Sequence, residues 1–241
     1  WIITGTLLVL VTVVWGSYYA FGVFLKPLAE EFEWTRATTS GPYGLSLGVQ
    51  GLVGLAVGAI CDRYGPHAVT VFACLTTAVG YVFMSRMHSL WEFYLSMLVL
   101  VAIGTSTGYV VPVATIPQWF VQRRGLALGL ALAGMGIGDM VFPRLMTYLI
   151  GRDGWRSAYL VMAGIVVGVA LLCAALLRRS PPRAQSEPHA IREDTATETF
   201  TVRQLLKLKH FWNLFALWTL VAAPLQIIRA HIVPAATDSG M

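Results

Sequence analysis

Apolar runs of about 20 residues recur along the whole chain, each stopped by a short polar turn, and that repetition leaves few structures open. An α-helix rises 1.5 Å per residue, so about 20 apolar residues cover a hydrocarbon core of about 30 Å. In lipid every backbone N–H and C=O must find a partner within the protein, and runs this long satisfy that need as helices. The ruler predicts crossings over residues 3–25, 40–60, 68–84, 91–117, 125–150 and 155–177, then a seventh from 211 to at least 228. Hydrophobic residues make up 56% of the 241 and charged residues only 12%, about half the charge density of an ordinary soluble domain, so the fold class is all-α integral membrane.

The polar stretches divide the chain. Residues 1–177 form a six-helix bundle, 178–209 are too polar to cross and make a linker, and 210–241 begin a second bundle. Trp1 already opens an apolar run with no initiator Met before it, so a short lead-in is expected to be missing. A cleaved signal peptide over residues 1–25 would need a basic head and a small-x-small cleavage site, and neither is present.

Several function classes are excluded on this reading. Seven of the basic residues behind the net charge of +5 lie between 178 and 209, where an orientation signal explains them, so no nucleic-acid partner is indicated. Cys61, Cys74 and Cys173 have no short spacing, so neither a disulfide framework nor a metal site is expected. Gly134-x-Gly136-x-Gly138 imitates a dinucleotide loop, but it sits inside an apolar helix without a preceding strand and reads as helix packing. With no P-loop and no cluster of His, Cys or carboxylates, neither a nucleotide-driven pump nor an enzyme is expected, and no cofactor is implied.

Orientation follows from Lys and Arg in the turns. The turns after crossings 2, 4 and 6 hold Arg63, Arg123, Arg124, Arg178, Arg179, Arg183, Arg192, Arg203, Lys207 and Lys209. Those after crossings 1, 3 and 5 hold Lys26, Arg36, Arg86, Arg152 and Arg156, the first pair offset by Glu30, Glu31 and Glu33. The richer set is cytoplasmic, which puts the N-terminus and residues 178–209 inside and makes the chain a multi-pass protein of the plasma (inner) membrane.

Between crossings 2 and 3, Gly58, Asp62, Arg63 and Gly65 form a polar hairpin followed by Pro66 and His67. The two glycines permit close backbone approach, Asp62 can accept N–H bonds or face a helix dipole, and Arg63 can pair with an acid or a carbonyl. Contacts of this kind hold one side of a bundle closed. This stretch resembles the signature of the major facilitator superfamily, Gly-x-x-x-Asp-Arg-x-Gly, with Pro66 and His67 where that family often has basic residues. Trp119-Phe120-x-x-Arg123-Arg124-Gly125, Gly154-Trp155-Arg156-x-Ala158-Tyr159 and Arg229-x-His231-x-x-Pro234 extend the resemblance to the monocarboxylate-transporter-like and oxalate/formate-antiporter-like branch. The resemblance implies an N-terminal fragment of a secondary transporter. It would move a small solute, most plausibly an organic anion, with possible proton coupling, by alternating access against a C-terminal bundle that this chain lacks.

Polar groups inside crossings are costly and mark candidate pathway residues. Asp139 and Arg144 lie five residues apart on crossing 5, about 500° of helical rotation, so they do not share a face unless Pro143 breaks the helix. Tyr18, Tyr19 and Tyr109 place phenols near mid-span, where each needs a partner. Most Ser and Thr, among them Thr105, Ser106 and Thr107, can instead satisfy backbone loosened by proline. Arg229 and His231, about 27 Å along crossing 7 from residue 211, offer cationic groups suited to an anion.

Overall fold

The computed structural model describes residues 1–120, 122–177 and 208–238. At Asp62, Trp218, Ala223, Gln226, Ile227, Arg229, Ala230 and residues 231–238 it describes the backbone alone. In chain order the helices are α1 (Ile2–Tyr19), α2 (Phe21–Phe32), α3 (Arg36–Tyr64) and α4 (Pro66–Ser85). α5 (Leu90–Leu95) leads through a π-helical turn (Ser96–Val101) into α6 (Ala102–Trp119). α7 (Arg124–Leu132), α8 (Gly134–Leu176) and α9 (Lys209–Asp238) complete the order, and no strand occurs among the described residues.

These helices resolve into the expected crossings. α1 and α2 form one apolar rod, Ile2–Phe32, and α5 to α6 another, Leu90–Trp119. The segment Arg124–Leu176 holds 53 residues, roughly 80 Å at 1.5 Å per residue, far more than one crossing needs. Gly154, at φ 80° and ψ 166°, breaks it, so crossings 5 and 6 are joined within residues 151–154 as the sequence predicts. The predicted linker falls almost entirely on 178–207, outside the described residues.

Two expectations need correction. Lys26 and Pro27 were expected to end crossing 1, yet the helix continues through Pro27 to Phe32 and stops at Glu33, whose φ is 55°. Proline fixes φ at a helical value and removes one hydrogen bond, and the Ala-Glu-Glu that follows suits helix well. Phe32 and Trp34 then stack at 4.5 Å and pack onto the bundle core. The possible break at Pro143 does not occur either: α8 is helical there, with Gly154 its one non-helical residue.

Proline is accommodated at Pro42 in a readable way. Lacking an N–H, it leaves the Thr38 carbonyl unpaired within α3, and the Tyr94 hydroxyl donates to that oxygen from α5 at 3.4 Å. Serine and threonine behave as predicted, since Thr105, Ser106 and Thr107 all donate to carbonyls of their own helix. Such internal bonds leave no hydroxyl facing hydrocarbon.

Crossing 1 is the axis of the bundle, with Leu7, Leu10, Val14, Tyr18, Phe24 and Leu28 fully enclosed. Its closest neighbour is crossing 5. A Cβ at Gly134 would lie 2.6 Å from the Leu8 carbonyl oxygen, and one at Gly16 would lie 2.8 Å from the Gly138 Cα. One at Gly138 would collide with the Thr12 carbonyl. Two backbones therefore touch through glycine at three places, as small residues allow in membranes. Gly136 faces away and a Cβ there would meet nothing within 4 Å, so the glycine repeat packs a helix through its first and third members.

Candidate functional site

The hairpin at one end of the bundle is built as the sequence predicts. Tyr64 ends α3, Pro66 opens α4, and Gly65 alone makes the turn. Its φ of 83° lies where a side chain is strained, and its N–H donates to the Cys61 carbonyl at 2.9 Å. Pro66 takes the first helical position, where a missing N–H costs nothing. The close approach expected at Gly58 and Gly65 is made to no described residue, since a Cβ at either would meet nothing within 4 Å. Glycine at 65 is required by the turn, and the Gly58 surface is open.

Arg63 is exposed, with its guanidinium carbon 5.5 Å from the centre of the Tyr64 ring. Asp62 lies in the last turn of α3, and its side chain is outside the described residues. His67 has a role that its departure from the basic pattern did not suggest. Its Nε2 is 3.1 Å from the Ala174 carbonyl oxygen, in the last turn of α8, where carbonyls lack intrahelical donors. A ring N–H donating to that oxygen ties crossing 3 to the end of crossing 6.

A second polar cluster closes the opposite end. Trp155, immediately after the Gly154 break, donates its Nε1–H to one carboxylate oxygen of Glu31, and Arg156 pairs with the other at 2.5 Å. The Arg156 guanidinium also stacks 4.2 Å from the centre of the Trp155 ring. Glu31 sits on the polar extension of α2 beyond the hydrocarbon, and the Trp155 and Arg156 donors hold its carboxyl below the usual range. This fastens crossing 1 to crossing 6, and it gives the Trp-Arg pair noted in the sequence a partner 125 residues away. A depressed carboxylate stabilises above its unfolded pKa, and that contribution is lost as pH falls through the lowered folded value. With both side chains about two-fifths exposed, Glu31→Gln should cost up to about 1 kcal/mol at pH 7. The gap from the parent in thermal unfolding should shrink as pH falls below the ordinary carboxylate value.

Between these ends lie the candidates at membrane depth. Asp139 is half-buried beside the Gly138 contact, whereas Arg144 is exposed and has no ion-pair partner among the described residues. Because α8 runs unbroken between them, the two remain on different faces. Tyr18 is 1% exposed and committed to packing: its hydroxyl lies 2.7 Å from Ser46 Oγ and 3.2 Å from the Tyr43 carbonyl, and its ring stacks on Tyr43 at 4.7 Å. Tyr19 is 8% exposed and lies against Trp15, and Tyr109 on α6 is 43% exposed. Arg229 and His231 fall on the helical backbone of α9, which packs against α2, but their side chains are outside the described residues.

Sequence reasoning missed Gln50. It is a lone amide at the centre of crossing 2, and the cost of polar groups in hydrocarbon was the signal that could have found it. Among the described residues no group of three or more His, Cys, Asp or Glu could hold a metal ion.

Comparison with known proteins bears on the whole arrangement. The sequence profile of a family described as Major Facilitator Superfamily matches residues 7–237. Monocarboxylate transporter 11 of Mus musculus is 28% identical across the whole chain, which covers 53% of that relative. Monocarboxylate transporter 13 of Rattus norvegicus is 31% identical over 76% of the chain and 40% of its own length. The oxalate:formate antiporter of Oxalobacter formigenes is 22% identical over the whole chain and 56% of the relative. The chain spans about half the length of the curated relatives it matches.

Proposed function

This chain belongs to the major facilitator superfamily, and from that premise we propose that the whole protein is a secondary transporter of a small organic anion working by alternating access. The observation that carries this reading is Arg144. Placed about 9 Å short of residue 150, it presents an unpaired guanidinium on the surface of crossing 5. Against lipid such a charge costs roughly 2.5–3.5 kcal/mol or more, so it belongs beside a polar pathway. A carboxylate is the natural ligand for that group. The names of the relatives, which include monocarboxylate, oxalate and formate, support the same class.

In this reading residues 1–177 are the first bundle, 178–209 a cytoplasmic linker, and α9 the first helix of a second bundle whose remainder lies beyond residue 241. The open surface at Gly58, with Asp62 and Arg63, faces that second bundle and closes the cytoplasmic side. Asp139, Tyr19, Tyr109, Arg229 and His231 border the path, where Asp139 or His231 can carry a coupled proton, and Tyr18 braces crossing 1 against crossing 2.

The test uses the full-length protein in proteoliposomes with radiolabelled pyruvate and oxalate. Uptake of at least one is expected, and Asp62→Asn should lower it about tenfold or more while leaving insertion intact, because a gate contact to a charge is lost. Failure of the parent to take up either acid would remove the anion assignment. Unimpaired uptake in the variant would remove the gate.

A further inference from the structure

Two N–H donors at the middle of the membrane have no acceptor. Gln50 is 8% exposed and its Nε2 makes no hydrogen bond, and the same holds for the buried Nε1 of Trp15. An unsatisfied donor in an apolar interior costs on the order of 1–3 kcal/mol, and two of them in one region is a large standing penalty.

They come from different helices but lie at nearly one depth. A Cβ at Gly108 of α6 would lie 3.0 Å from Trp15 Nε1, which puts Trp15 level with Gly108. A Cβ at Gly54 of α3 would lie 4.0 Å from Val110 Cγ2, so Gly54 is level with Val110 on a helix running the same way. Gln50 precedes Gly54 by four residues and is thus level with residue 106. The two donors differ in depth by roughly 3 Å.

Tyr18 joins them. The Gln50 amide sits beside the Tyr18 hydroxyl, and the Trp15 ring meets the Tyr18 ring edge-on at 6.1 Å. That hydroxyl is already engaged with Ser46 and the Tyr43 carbonyl, so it fixes the amide in place without consuming both of its hydrogens. Tyr109, with 43% of its surface open, stands at the same level on α6.

We propose that Gln50 Nε2–H and Trp15 Nε1–H are the neutral half of the solute site, donating to an oxygen of the transported organic anion while Arg144 meets its charge. Gly138 is level with the stretch of crossing 1 from Thr12 to Gly16, and Arg144 lies six residues further along, roughly 9 Å. Both halves therefore fall in the middle of the bilayer, where transporters of this architecture alternate access. Tyr18 is a positioning residue for the amide. The inference rests on the organic-anion reading.

The test is made in the full-length protein with pyruvate and oxalate as probes. Gln50→Leu and Trp15→Phe should each raise KM about tenfold and leave Vmax within about twofold, the size expected for one lost hydrogen bond. Gln50→Cys should react with a methanethiosulfonate reagent more slowly when the transported acid is present, against a blank of the parent protein. The parent cysteines Cys61, Cys74 and Cys173 are buried. An unchanged KM in both variants overturns the proposal. So does a fall in Vmax at constant KM without protection of Cys at 50, which would pair the donors with the second bundle. If Gln50→Leu does not fold, Trp15→Phe and the protection assay carry the decision. Transport of neither acid by the parent would overturn the anion reading and this inference together, whereas transport with unchanged KM overturns this inference alone.

Discussion

Replacing Gly138 by leucine should abolish the folded bundle, lowering the yield of monodisperse protein by at least about tenfold, because an enclosed site would be overpacked against backbone. The contact has no soft side. The atoms that a new side chain would meet are the Thr12 carbonyl and the backbone of Gly16, not the far end of a flexible chain. Gly138→Ala is the graded case and should cost roughly 1–3 kcal/mol, since crossings 1 and 5 must separate to admit one methyl group. Gly136→Ala is the control: two residues away on the same helix, its Cβ would point into open space and should change neither yield nor thermal unfolding. Equal damage at 136 and 138 would mean that glycine serves flexibility and not contact.

Arg144→Gln should leave yield and thermal unfolding near those of the parent and raise KM for the transported acid roughly 10- to 100-fold, as expected for a charged hydrogen bond of about 1.5–3 kcal/mol. The folded bundle loses nothing because Arg144 makes no ion pair among the described residues. Arg144→Lys should recover part of the affinity, keeping the charge but not the planar fork that grips a carboxylate at two points. A KM unchanged in the glutamine variant would place the guanidinium against a group of the second bundle instead. The same two variants separate this role from that of Asp139, which lies on another face of the helix.

Much of the bundle was legible because it rests on local chemistry. The six apolar runs, the Gly65-Pro66 turn and the break at 154 follow from helix rise, proline and glycine, each read within a few residues. Helix ends at Pro27 and continuity at Pro143 were less certain, because a proline inside a helix bends or stops it according to what its neighbours supply. What no local pattern gives is partnership across the chain. Glu31 looked like one of three glutamates offsetting Lys26 and Arg36, and only the fold selects it for Trp155 and Arg156. Tyr18 looked like a pathway residue and is instead spent on Ser46 and Tyr43, while Gln50 and Trp15, unpartnered, became the better candidates. Which polar group remains unsatisfied is a property of packing.

Counterflow tests the account's central claim most directly. Proteoliposomes of the full-length protein, loaded with unlabelled pyruvate or oxalate and diluted into a trace of the labelled acid, should accumulate label transiently above equilibrium. Exchange through a site exposed alternately to each side requires that overshoot. Label that rises only to equilibrium, or does not enter at all, would contradict an anion carrier of this kind.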